Sequence, residues 1–266
     1  MPNQEKFSNL QTENNLKNSD PKNEMTLQHH FKEFRTRIIF CAYFFIAAFA
    51  TCYFFSAEIY NFLLQPLIDI SQNHPNRKLI YTSPAEAFTT YLKVALYAAI
   101  FFSFPIFLAE IYLFLSPALY KNEKKNLLLV FFFSPFLFLF GAIFSYYFIL
   151  PVTLEFFSSF EIQASAASAN FPIQLETKLS EYLNFVTNLL LGFGIAFQLP
   201  ILLLFLIKVG CLSSNDLRRK RRYWIVIIFI LSAILTPPDV MSQMSLAILL
   251  ITLFEIVILI SKNFNK

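Results

Sequence analysis

Glycine is nearly missing from this chain: only four occur in 266 residues. So few leave no glycine-rich loop to cradle a phosphate, which excludes direct nucleotide hydrolysis. The same scarcity argues against close helix packing through glycine. Cysteine is also rare, and Cys41, Cys52 and Cys211 offer no disulfide framework, since two of them fall inside one apolar stretch. Histidine numbers three, at His29, His30 and His74, all outside the apolar stretches. With no second aspartate inside those stretches to pair with Asp239, neither a Ser/His, a zinc nor a paired-aspartate protease site can be assembled within them. The chain is therefore expected to be no enzyme, with no metal and no cofactor.

What is abundant is apolar surface. The sequence is 56% hydrophobic and 14% charged, holds 35 phenylalanines, and has a mean hydropathy of +0.55, far from an ordinary soluble domain. Six apolar stretches lie at roughly 38–56, 88–115, 127–150, 183–209, 223–235 and 242–260. A helix rising ~1.5 Å per residue needs about 20 residues to cross ~30 Å of hydrocarbon. The fifth stretch reaches only ~20 Å, so local thinning of the bilayer or shelter by neighbouring helices is expected around it. Residues 1–24 are polar, carry no hydrophobic core for a cleavable signal, and read as a disordered cytosolic tail. The membrane domain is expected over 25–262, with a short tail at 263–266.

Charge placement sets the orientation. Six basic residues precede the first stretch, and Lys121, Lys124 and Lys125 lie between the second and third. Lys208, Arg218, Arg219, Lys220, Arg221 and Arg222 lie between the fourth and fifth, and Lys262 and Lys266 close the chain. The opposite side has Arg77, Lys78 and Lys178, with Lys93 at the start of the second stretch. The positive-inside rule then puts both termini in the cytosol. Two larger loops, 57–87 and 151–182, and a tight turn at Thr236-Pro237-Pro238-Asp239 face the other compartment. This alternation, and not nucleic-acid binding, accounts for the sequence pI near 8.9. Pro105, Pro135 and Pro200 fall inside spans, where each removes a backbone donor and predicts a kink.

A few polar groups stand out against this background. Leu27, Phe31, Phe34 and Ile38 repeat at helical spacing and form one apolar stripe. Glu33 and Arg37 lie on the opposite face, correctly spaced for an i,i+4 ion pair. Glu123 sits among Lys121, Lys124 and Lys125, while Glu110 and Glu255 lie within apolar stretches, where a carboxylate implies pairing or function.

Several motifs together resemble one family. His30-Phe31-Lys32-Glu33-Phe34-Arg35-Thr36-Arg37 is similar to the HLxELRxR opening of TatC, the multispanning core of the twin-arginine protein translocase. Ser83-Pro84-Ala85-Glu86-Ala87-Phe88 with Lys93 resembles its first-loop motif, and Phe114-Leu115-Ser116-Pro117-Ala118-Leu119-Tyr120 with Glu123 its second cytosolic signature. Phe197-Gln198-Leu199-Pro200, Leu235-Thr236-Pro237-Pro238-Asp239-Val240 with Ser242-Gln243, and Phe254-Glu255 complete the set in order.

The resemblance implies an all-α, polytopic protein of six kinked spans in the bacterial inner membrane. It implies a receptor for folded precursors carrying twin-arginine signal peptides, driven by the proton-motive force. It also implies a multimeric complex with TatA- and TatB-type single-span partners, in contact with membrane lipid. Carried over by position, Glu33, Arg35, Phe114 and Glu123 are expected to recognise the signal. Glu110, Gln198 and Glu255 are expected to line an embedded polar cavity, and Asp239 and Gln243 to contact partner helices. Two positions depart from the pattern: Gln198 stands where the family commonly has glutamate, and Glu110 where it commonly has glutamine. Either the acid has moved between neighbouring helices, or both sites accept either residue. The alternative is a secondary transporter of a small solute or ion, which predicts an inverted repeat between the halves. None is visible.

Overall fold

The computed structural model describes residues 27–71, 79–80, 82–115, 121–160, 177–210 and 212–264, apart from a few side chains such as that of Glu123. The expected tail 1–24 lies outside the described residues. Helix dominates, in accord with the all-α expectation. In chain order the elements are α1 (Leu27–Phe54), α2 (Ser56–Ser71), β1 (Leu79–Ile80), α3 (Pro84–Leu115), α4 (Lys121–Phe144), a π-helical turn (Ser145–Ile149) and α5 (Leu150–Ser158). There follow β2 (Thr177–Lys178), α6 (Leu179–Ala196), α7 (Leu199–Lys208), α8 (Ser214–Arg219), α9 (Arg221–Leu235) and α10 (Val240–Phe264).

Among the described residues, five helical runs are long and apolar enough to cross a membrane: Phe31–Phe54, Pro84–Phe114, Phe131–Ser158, Leu179–Lys208 and Val240–Ser261. They overlap the first four and the sixth sequence stretches. The fifth stretch is α9, whose 15 residues reach about 22 Å. The chain divides into two compact units, Met1–Phe40 and Cys41–Lys266. In the first unit the α1 stripe forms as expected, with Phe31, Phe34 and Ile38 exposed on a continuous helix.

Within Cys41–Lys266 the loop expected at 57–87 is not an open loop. Its first part is α2, because Leu63, Leu64 and Leu67 recur at helical spacing and bury their side chains in the core. Pro66 sits inside this helix without ending it. The loop's later part and the 151–182 loop meet in a short parallel bridge, Leu79 opposite Thr177 and Ile80 opposite Lys178.

The prolines act unequally. Pro105 and Pro135 lie within α3 and α4, which continue through them. Pro200 falls at the start of α7, directly after the break that separates α6 from α7. Its missing N–H leaves the carbonyl four residues earlier, that of Ala196 at the end of α6, without its helical donor. Pro151 likewise removes the donor that the Tyr147 carbonyl would use. The helix there widens by one residue, and the Leu150 N–H donates to the Ser145 carbonyl instead.

The buried core gathers around α6, with side chains from α2, α5 and α10, and at the contacts of α6 with α4 and α9 the glycine expectation fails. A methyl group at Gly192 would lie 2.5 Å from the Leu235 carbonyl oxygen, and one at Gly141 would lie 2.7 Å from that of Phe193. Scarcity did not mean absence from helix contacts: these glycines sit where backbones approach most closely. Between α1 and α3, Ala95 and Ala99 bury their small side chains with Cys52. Phenylalanine fills the wider gaps, as Phe138 does by stacking on Phe104.

Candidate functional site

Glu33 lies on α1, and its Oε1 accepts hydrogen bonds from Arg37 Nη2 at 2.6 Å and Nε at 3.1 Å. The i,i+4 pair expected from spacing is therefore made, with both side chains half-buried. Arg35, nearby on the same helix, is exposed. Phe114 is half-buried in the last turn of α3. That turn is held by ring contacts from Tyr112 to Phe131 of α4, and from Phe131 to Phe205 of α7. Glu123 falls in the first turn of α4, a position where helical N–H groups favour negative charge; its side chain lies outside the described residues.

The three embedded groups have separate surroundings. Gln198, at the α6–α7 break, exchanges two hydrogen bonds with Ser134 of α4. The serine hydroxyl donates to the amide oxygen, and the amide nitrogen donates to the serine carbonyl at 3.1 Å. That second bond uses an N–H that glutamate lacks, so the two residues are not interchangeable in this packing. Glu255 on α10 pairs with Arg221 at the start of α9, at 2.8 Å. Both side chains remain partly exposed, so the pair adds on the order of 1 kcal/mol or less. Its main consequence is to neutralise an acid inside an apolar helix. Glu110 is half-buried on α3.

At the Pro-Pro turn, Asp239 caps α10: its Oδ2 accepts from the Ser242 N–H at 2.7 Å. Asp239 Oδ1 and the Ser242 hydroxyl are buried without a hydrogen-bond partner among the described residues. Gln243 is half-buried one turn into the same helix.

Sequence reasoning missed the role of Glu86. Helix α6 has no side-chain cap of its own, and Glu86 reaches across from α3 to supply one. Its Oε1 accepts from the Ser180 N–H at 3.2 Å, and its Oε2 from the Thr82 N–H at 2.7 Å and the Thr82 hydroxyl at 3.2 Å. An acid in the first turn of α3 was the available signal, but its partner lies 94 residues away. Glutamine offers one acceptor oxygen where the site uses two, so its NH2 must face an N–H donor. Glu86→Gln should therefore lower the melting temperature of the purified chain, whereas the exposed Glu181→Gln should leave it unchanged.

Residues 29–248 match the model of the family described as Sec-independent protein translocase protein (TatC). The chain belongs to the TatC family. A Sec-independent protein translocase protein TatC from Rickettsia prowazekii is 45% identical over 235 residues, covering 88% of this chain and 92% of the relative. A TatC from Magnetococcus marinus is 36% identical over 94% of this chain and 88% of its own length. A crystal structure described as the twin arginine translocase receptor TatC, in the detergent DDM, superposes with a TM-score of 0.73 at 32% identity. It covers 87% of this chain and 99% of that one. TatC membership explains the order of the motifs along the chain, and the solute-transporter alternative finds no support among these relatives. Members of this family are components of a protein translocase, a transport role and not an enzymatic one.

Proposed function

We infer that this chain is the receptor and core subunit of a translocase that moves folded, twin-arginine-tagged proteins across the bacterial inner membrane. The observation that carries this reading is the likeness, across nearly the whole fold, to a structure described as the twin arginine translocase receptor. The proposal includes six spans with both termini in the cytosol, with α9 as the short fifth span. It includes TatA- and TatB-type single-span partners and energy from the proton-motive force.

In this reading Glu33 and Glu123, each on the cytosolic side, receive the arginine pair of the leader. Guanidinium presents a planar fork that matches a carboxylate in bidentate fashion, and lysine's ammonium does not. At ~4 Å and an effective dielectric of ~20, one such pair gains about 4 kcal/mol of Coulomb energy before desolvation. Fully exposed, it nets about 0–1 kcal/mol. Selectivity for arginine therefore needs partial shelter, a role assigned to Phe114 on the Glu123 side and to the exposed α1 stripe on the Glu33 side. Arg35 lies on the same helix and orients the incoming segment. Glu110, Gln198 and Glu255 form the embedded polar groups past which the precursor moves. Asp239 and Gln243 meet a partner helix, where the orphaned Asp239 Oδ1 and Ser242 hydroxyl would gain donors and acceptors.

Lys121, Lys124 and Lys125 surround Glu123 in sequence and occupy its carboxylate until a leader arrives. Changing all three to glutamine should raise crosslinking of a twin-arginine leader; unchanged or weaker capture contradicts this part. The function as a whole is tested in cells lacking their own TatC. Supplied with this chain and its single-span partners, they should export a folded reporter behind an Arg-Arg leader but not behind a Lys-Lys leader. No export, or export of both, overturns the reading.

A further inference from the structure

An open groove of about 350 Å³ lies between α2, α3, α4 and α6, floored by Leu63, Val94 and Tyr146. Its rim residue Phe102 is 68% exposed, so the groove opens outward, toward lipid in a membrane protein. The hydroxyls of Tyr146, Tyr97 and Thr187 in its wall are already used. Tyr146 donates to the Phe62 carbonyl at 2.6 Å, Tyr97 to Asn188 at 2.8 Å, and Thr187 to the Leu183 carbonyl at 2.7 Å. Water would find few partners there, and hydrocarbon would forgo none.

A second, smaller cavity adjoins the groove, sharing Val94, Tyr97 and Thr187 in its wall. It is lined by Lys93 and Asn184, and so gives the apolar groove a cationic end. Lys93 is exposed, and among the described residues its polar contact is the Asn184 amide oxygen at 3.4 Å, with no carboxylate in ion-pairing range. Of the acids at this end of α3 and α6, Glu86 is held by Thr82 and Ser180, and Glu181 lies 3.9 Å from Lys178. Depth fits as well. Helix α3 has 32 residues, about 48 Å of helix against ~30 Å of hydrocarbon. Sharing the excess between both ends puts Lys93, about 14 Å from the helix start, roughly 5 Å below the boundary. A lysine stem spans that depth to the headgroups.

We propose that this groove is a binding site for one anionic phospholipid, with an acyl chain lying along Val94, Tyr146 and Phe102 and the phosphate held by Lys93. The site orders a lipid against α3 and α6, on the face opposite the basic loops. It is separate from the signal-recognising acids and does not depend on them.

The test is native mass spectrometry of the full chain, stripped of lipid and titrated with phosphatidylglycerol or phosphatidylcholine of matched chains. Wild type should retain one phosphatidylglycerol with roughly tenfold preference, the scale of one charge-assisted contact. Lys93→Gln should abolish the preference, and Lys93→Arg should keep it. Ala98→Phe, which fills the groove, should remove the bound lipid altogether. A photoreactive residue at position 102, in chain extracted from membranes, should give an adduct with the mass of a phospholipid. Equal retention of both lipids by wild type, or a preference that survives Lys93→Gln, overturns the proposal. So does an adduct at position 102 with a leader peptide or a second protein.

Discussion

Gly192→Ala is expected to lower the melting temperature of the purified chain by on the order of 10 °C, or to stop it accumulating in the membrane. The added methyl would sit 2.5 Å from the Leu235 carbonyl oxygen, and backbone cannot turn aside as a flexible side chain can. Leu235 ends α9 and directly precedes Thr236, whose N–H and hydroxyl both donate to the Ser232 carbonyl. Moving the carbonyl would drag the Pro-Pro turn and the Asp239 cap of α10 with it. Overpacking of this kind typically costs about 1–3 kcal/mol, and this site belongs at the upper end. Gly210→Ala provides the scale. Gly210 has a φ of +79° and open space around it, so alanine there meets only backbone strain of about 1–2 kcal/mol. Thermal unfolding in detergent should rank Gly192→Ala well below Gly210→Ala. The opposite order would show that α6 and α9 do not approach as described.

Neutralising the two proposed signal acids together, Glu33→Gln with Glu123→Gln, should weaken capture of a twin-arginine leader by about 10²-fold or more. A hydrogen bond to a charged group nets about 1.5–3 kcal/mol when sheltered. Removing two such bonds at once gives that factor, since each 1.4 kcal/mol is tenfold. Each single variant should forfeit part of the affinity. The Glu33 variant should show a smaller net effect, because its carboxylate already satisfies Arg37 and binding must first loosen that pair. Titration of a labelled leader peptide against the chain in nanodiscs reads all three. Undiminished binding by the double variant would remove the recognition mechanism while leaving the fold and the family intact.

Much of this molecule was legible in its residues, and the exceptions share a cause. Local spacing carried the helices, the Glu33–Arg37 pair and the short α9, because each depends on residues a few positions apart. The Leu63, Leu64 and Leu67 stripe that builds α2 was equally local, but Pro66 within it reads as a breaker. What spacing could not reach were interactions between distant segments. Glu86 caps a helix 94 residues away, and Gln198 binds Ser134 across 64 residues. The pairing of Glu255 with Arg221 also joins two helices; the sequence marked that acid as needing a partner but not which one. The glycines misled for the same reason, since counting them says nothing of what lies opposite. The parallel bridge of Ile80 with Lys178 has no local signal at all.

The docking of the arginine pair on two cytosolic acids is tested most directly by placing the photoreactive group on the leader. A precursor carrying it beside the Arg-Arg pair is crosslinked to the assembled complex, and the adducts are mapped to residues of this chain. Adducts are expected in the segments around Glu33 and around Glu123, and they should disappear when the pair is Lys-Lys. Adducts elsewhere on the chain, or equal labelling by both leaders, would contradict it.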